Sequence, residues 1–219
     1  MLAALAPRPL QNRVTPFGEI VAAAARGTMM GNRGGCMHDD RQRLRRRQWV
    51  NARWITCVLE FRGRHREVMQ PRRYTELFFL DEATSFAAGH RPCAECRRGD
   101  FDRFREAWLV GNPSAGVRSG ESIDRLDAVL HAERVGVSSP GRWQSALAAL
   151  PPGVMVTLPQ APAETLLWWR GRLLPWSHDG YGTPTRAVLP ATVRVLTPPS
   201  TGRAFAAGYV PAVHRSAGA

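Results

Sequence analysis

One short turn, Cys93-Ala-Glu-Cys96, constrains this chain more than any other feature. Two cysteines in C-x-x-C spacing let both thiolates face one ion, while the turn between them offers backbone N–H groups to the sulfurs. The flanks agree with that reading. Asp81 is placed to cap a short helix over Glu82–Ala88 that Gly89 stops. Asp100 can cap a second helix, in which Phe101, Phe104 and Trp108 fall at i, i+3 and i+7 on one face. A cysteine pair followed by a capped helix is a familiar structural half-site for Zn2+, which is the expected cofactor. A redox dithiol calls for a thioredoxin-like βαβ pattern, which does not surround this turn.

A tetrahedral zinc site needs four nitrogen or sulfur donors. The other cysteines are Cys36 and Cys57. Cys57 sits on a predicted strand leading into this region and ranks first as the third ligand. His38 is the candidate fourth, with Cys36, two residues away, as the alternative. His90 is closer in sequence, but a tight turn would point its side chain away from the ion.

The charge pattern points to a polyanionic partner. The 219 residues carry 30 basic side chains, all arginine, against 18 acids, for a formal charge of +12. An arginine-rich composition explains the choice of cation but not the excess, and a net positive surface favours polyanions by counterion release. Arg41, Arg43, Arg45, Arg46 and Arg47 cluster, and Arg53, Arg62, Arg64, Arg66, Arg72 and Arg73 follow, with Glu60 and Glu67 the only acids over 41–73. Arg43, Arg45, Arg46, Arg47, Arg62, Arg64 and Arg66 are the candidate contacts to nucleic-acid phosphates. Trp49, Trp54, Phe61 and Tyr74 lie among them, either as core or as stacking platforms.

The expected fold class is α+β, with a compact zinc-binding module followed by helices and a small β-rich C-terminal half. Residues 1–14 read as a loose leader, 15–150 as the zinc-binding region and 151–219 as the β-rich part, either separate or packed as one unit with the first. Two strands around a turn near Gly63 are expected over Trp49–Met69, a third strand or a buried approach to a helix over Tyr74–Leu80, a helix around Ile123–Leu130 and another over Arg142–Leu150. Gly31–His38 is a glycine-rich turn without the spacing of a nucleotide-binding fingerprint. Ser85-Phe-Ala-Ala-Gly-His-Arg-Pro recurs as Ala204-Phe-Ala-Ala-Gly-Tyr-Val-Pro, with Cys93 replaced by Ala212. No run of about 18 apolar residues occurs to span a membrane, and the apolar start is too short for a signal peptide. The expected compartment is the cytoplasm.

Around the cysteine pair, Phe86-Ala-Ala-Gly-His-Arg-Pro-Cys-Ala-Glu-Cys-Arg-Arg resembles the N-terminal zinc domain of Ada, the bacterial methylphosphotriester repair family. The resemblance covers roughly residues 50–105. It implies that Cys93 and Cys96 bind zinc in a compact α+β domain that touches the DNA backbone. In that family a Cys-x-x-x-Cys pair upstream supplies the other two ligands, one of which accepts the methyl group. Here Cys57 stands alone, with Phe61 where the second cysteine would fall, so zinc binding carries over better than methyl transfer.

Other chemical candidates are sparser. Asp124, Asp127 and His131 share one face of the third helix and suit either acid–base chemistry or a polar surface. Glu76, Asp81 and Glu82 precede the cysteine turn and can orient arginines or hold a divalent ion. For an enzyme, Cys57 and His131 are the catalytic candidates. Three functions fit these features: a zinc-binding, nucleic-acid-associated protein linked to DNA repair; a metal- or thiolate-dependent enzyme acting on nucleic acid; or a zinc-stapled partner-binding module.

Overall fold

The computed structural model describes residues 8–64, 67–135, 143–184 and 189–218. The architecture is α+β, with two six-stranded sheets and four α-helices among these residues. The first sheet has the order β2-β1-β5-β3-β4-β6 and draws on β1 (Gln11–Val14), β2 (Ile20–Ala22), β3 (Met29–Asn32), β4 (Ile55–Cys57), β5 (Leu77–Phe79) and β6 (Arg91–Pro92). It is mixed: β1 with β5 and β4 with β6 run parallel, and the other neighbours are antiparallel. Gln11–Val14 falls within the expected leader, yet it forms β1, because Val14 is fully buried and the strand bridges β2 and β5.

The second sheet is antiparallel throughout, in the order β11-β10-β9-β8-β12-β7. It comprises β7 (Trp143–Ala146), β8 (Met155–Leu158), β9 (Ala161–Trp169), β10 (Arg172–Ser177), β11 (Gly180–Tyr181) and β12 (Thr192–Val195). The helix expected over 142–150 is instead strand β7 and a single 3-10 turn at Leu147–Ala149. Its apolar spacing suits a helix, but pairing of Trp143–Ala146 with β12 overrides that local preference. Of the two strands expected around Gly63, Ile55–Cys57 is the part realised among the described residues, and His65 and Arg66 lie outside them.

The helices α1 (Glu82–Ala87), α2 (Arg98–Gly111), α3 (Ile123–Val135) and α4 (Pro199–Ala206) share one core with the second sheet. Phe86, Phe104, Trp108 and Leu130 from the helices meet Val156, Leu166, Leu173 and Val193 from the strands, so the cluster takes side chains from both sides of Pro151. Asp81 caps α1 as its sequence suggests, accepting from the Thr84 N–H at 2.9 Å. Arg97, not Asp100, holds the N-cap position of α2. Asp100 lies in the first turn, where its carboxylate takes Arg97 and Arg103 and meets the positive end of the helix. None of the helices among the described residues is long and apolar enough to cross a membrane.

Candidate metal centre

Strand pairing brings the cysteines together. In the parallel pair β4–β6, Ile55 lies opposite Arg91 and Thr56 opposite Pro92, and the Cys93 N–H donates to Thr56 O at 2.9 Å. Cys57 and Cys93 therefore leave adjacent strands side by side. The C-x-x-C turn then folds Cys96 back toward both, just before α2 begins, and the Glu95 N–H points at Cys93 Sγ at 3.4 Å. The three ligand atoms lie within 4.8 Å of one another and can hold a metal ion. A tetrahedral ion with metal–sulfur bonds near 2.3 Å separates its sulfurs by about 3.8 Å, so little movement is needed to close the site.

Hydrogen bonds from Cys57 and Cys96, together with the Glu95 and Cys96 N–H groups, hold Cys93 well below the usual thiol range. Cys57 is pushed up in turn by sharing its proton with Cys93 and Cys96 and by burial. The cluster thus favours ionisation at Cys93, and a metal would displace the thiol protons.

The cluster opens on a cavity of about 460 Å³ with mostly apolar walls, among them Ile55, Leu59, Phe61 and Phe78. Glu76 lines the same cavity. It is buried, its Oε2 accepts the Met69 N–H at 2.7 Å, and its Oε1 has no hydrogen-bond partner among the described residues. A buried carboxylate oxygen without a partner is costly, and it marks this cavity as chemically unfinished. The sequence singles out Glu76 among the acids before the turn, but nothing in its spacing reveals that it faces the cysteines.

His38 and Cys36 are not part of the cluster. His38 is buried with Nδ1 2.7 Å from Thr75 Oγ1 and Nε2 3.1 Å from Gln70 O, and Cys36 lies against it. The β3–β4 register explains this: Met30, not His38, stands opposite Cys57. His90 also turns away from the cysteines, as a tight turn requires, and packs against Trp54 and Phe79. His65 lies outside the described residues.

Of the acid–base candidates on α3, the two aspartates hold arginines. Asp127 is buried and grips Arg91 through two bonds of 2.7 Å, while Asp124 pairs with Arg53 at the surface. His131 sits edge-on to Trp49 and Trp54, and burial followed by Arg134 lowers its pKa. Glu82 and Asp81 are likewise spent within the fold. Glu82 takes Arg97, Tyr209 and the Ala212 N–H, and Asp81 takes Thr84, Tyr181 and the His214 N–H.

Of the arginines, Arg43, Arg45, Arg46 and Arg47 are exposed on one loop. Arg43 is held by Asp39 at 2.8 Å and Arg47 donates to Val50 O, whereas Arg45 and Arg46 make no ion pair among the described residues. Arg64 lines the cysteine cavity and pairs with Glu95 at 2.9 Å, and the exposed Arg62 stacks on Phe61. Arg66 lies outside the described residues. Comparison of the chain with protein-family models, curated proteins and solved structures returns no match.

Proposed function

We propose that this chain is a zinc-binding protein that associates with nucleic acid through the phosphate backbone. The observation that carries the reading is the convergence of Cys57, Cys93 and Cys96 at the mouth of a cavity that Arg64 also lines. Three soft sulfur donors within 4.8 Å of one another suit zinc better than harder cations. Cys93 and Cys96 hold the ion from the turn and Cys57 holds it from β4. The likeness of Phe86–Cys96 to the Ada zinc domain supports the same assignment and a link to DNA repair. Arg45, Arg46 and Arg62 are free to meet phosphates, and guanidinium groups bind phosphate in bidentate fashion.

A metal-dependent enzyme acting on nucleic acid is the second reading, and one observation favours it. Three protein donors beside a cavity, with one oxygen of a buried carboxylate left without a partner in its wall among the described residues, fit the plan of a catalytic zinc site, which keeps one position open.

Both readings meet one experiment on the purified full chain: elemental analysis, together with binding of labelled single- and double-stranded DNA and RNA across a salt series. The expected result is about one zinc per chain and an affinity that falls linearly in log–log form with salt, less steeply in Arg45→Ala/Arg46→Ala/Arg62→Ala. Absence of zinc refutes the metal assignment, and absent or salt-insensitive binding refutes the nucleic-acid assignment.

A further inference from the structure

A second cavity, of about 350 Å³, opens where Gly18, Trp49 and the end of α3 approach one another. Two arginines line it, Arg33 at 2% exposure and Arg134 at 6%. Neither forms an ion pair among the described residues. Arg134 Nε donates to Leu130 O at 2.8 Å, but its Nη1 and Nη2, the two ends of the fork, have no hydrogen-bond partner there. Arg33 is partly engaged: Nη2 donates to Gly18 O at 2.8 Å, Nη1 to Gln48 O at 3.5 Å, and Nε approaches Nε2 of His90 at 3.4 Å. Both guanidinium carbons lie over the ring of Trp54, at 4.1 and 4.4 Å.

The acids that would neutralise this charge are engaged elsewhere or stand in solvent. Asp127 and Glu133 act on Arg134 only through space, being hydrogen-bonded to Arg91 and Ser200 respectively, while Glu19 lines the cavity but is exposed. Burial lowers both guanidiniums to about 9, so each still carries its charge at neutral pH. The same two charges and, above all, burial push His90 down, so no proton on His90 adds to or competes with them. The backbone is shaped around Arg134 as well: a Cβ on Gly89, at φ +80°, would come within 2.1 Å of Arg134 Cδ. Unpaired buried guanidiniums are rare because they must be compensated by something; the fork ends of Arg134 are closed off beside this cavity, and a carboxylate or a phosphate compensates a planar fork best.

We propose that this cavity binds a small organic anion, a carboxylate or phosphate monoester bearing a flat apolar group. Arg134 and Arg33 meet the anionic head, and Trp49 with Val135 walls the apolar part. The volume suits a ligand of that size, and the walls other than the guanidiniums are largely apolar and aromatic. This site is separate from the cysteine cavity, shares no lining residue with it and does not depend on a metal.

The test is titration calorimetry of the full chain with benzoate, phenyl phosphate, inorganic phosphate and neutral benzamide, on wild type, Arg134→Gln and Arg134→Lys. The expected result is saturable binding of benzoate or phenyl phosphate, the better of the two naming the head group, with no binding of benzamide. Arg134→Gln should weaken that binding about tenfold or more, and Arg134→Lys, which keeps the charge but loses the fork, should weaken it less. Thermal melts without ligand add a readout that a structural arginine would not give: Arg134→Gln melts at or above the wild-type temperature, because an uncompensated charge has gone. If Arg134→Gln does not fold, the loss on Arg134→Lys carries the test. No binding of either aromatic anion to wild type overturns the proposal, as does equal binding of benzamide or unchanged affinity in both variants. Binding of a short oligonucleotide that depends on Arg134, with neither aromatic anion bound, also overturns it and gives the pocket to nucleic-acid recognition instead.

Discussion

Phe86-Ala-Ala-Gly-His-Arg-Pro and Phe205-Ala-Ala-Gly-Tyr-Val-Pro adopt the same helix stop in two places. In the first, the N–H groups of Gly89 and His90 return to Phe86 O and Ser85 O at 2.8 and 2.9 Å. In the second, those of Gly208 and Tyr209 return to Phe205 O and Ala204 O at 3.0 and 3.1 Å. Both glycines have positive φ, +80° and +107°. The two phenylalanines meet edge to face with ring centres 5.2 Å apart, so the segments pack against each other. They diverge one residue after the glycine. Tyr209 donates to Glu82 Oε1 at 2.7 Å and Ala212 N–H to Oε2 at 2.8 Å, which closes the hydrogen bonding of that buried acid. His90 instead turns into the Arg33–Trp54 pocket, and Pro92 delivers Cys93 to a cluster beside a cavity. The shared motif is a packing device, and the chemistry lies in the residues just beyond its glycine. Where every polar group finds a partner the segment is scaffold; where thiolates, a carboxylate oxygen and a guanidinium fork are left over, it borders a site.

The largest effect expected from breaking this contrast is on metal content. Cys93→Ser and Cys57→Ser should each remove most of the bound zinc in elemental analysis, because either loss leaves two thiolates. Ala212→Ser, at the matching position of the other segment, should leave it unchanged. Next comes the glycine pair. Gly89→Ala must accept both a left-handed backbone and a clash with Arg134, and should cost about 2–4 kcal/mol in urea unfolding. Gly208→Ala meets nothing within 4 Å and should cost only the backbone strain, about 1–2 kcal/mol. Equal losses would mean that Arg134 simply moves aside.

Smaller effects sharpen the same comparison. Tyr209→Phe removes one of the bonds that satisfy Glu82, and should destabilise by about 1–2 kcal/mol with no change in zinc content. Burial, then Arg33 and Arg134, lower the pKa of His90. Its neutral form is therefore favoured in the fold, and the contribution is fully present above the unfolded value near 6.5. As pH falls below that value the unfolded chain takes up a proton that folded His90 refuses, so stability drops by up to about 1.4 kcal/mol per pH unit. Urea midpoints at pH 7.5 and 5.5 should diverge more in wild type than in His90→Phe. Tyr209, its counterpart, is shifted upward by burial and by Glu82 and does not titrate in this window.

Much of the scaffold is legible in the residues. Asp81 announces α1, Gly89 ends it, Phe101, Phe104 and Trp108 turn one face of α2 inward, and Cys57 pairs with the C-x-x-C turn. The helix signals are local; Cys57 lies 36 residues before Cys93 and is picked out by its chemistry, not by its spacing. The failures are non-local. Val58, Leu59 and Phe61 are β-forming side chains, but they line the cysteine cavity instead of joining a strand. Trp143–Ala146 needs β12 to become a strand, and residues 192–195 lie far along the chain. His38 has the right chemistry for a fourth ligand, but the sheet register gives the place beside Cys57 to Met30. Arg33 and Arg134 read as two arginines among thirty, because only the fold shows that their acids are spoken for.

The central claim is a three-thiolate metal centre with its fourth position on a cavity. X-ray absorption at the zinc edge of the zinc-loaded full chain tests it most directly. Three sulfurs at about 2.3 Å and one lighter oxygen or nitrogen neighbour are the expected shell. Four sulfurs would contradict it by bringing Cys36 into the shell, and two or fewer would mean that Cys57, Cys93 and Cys96 do not act as one site.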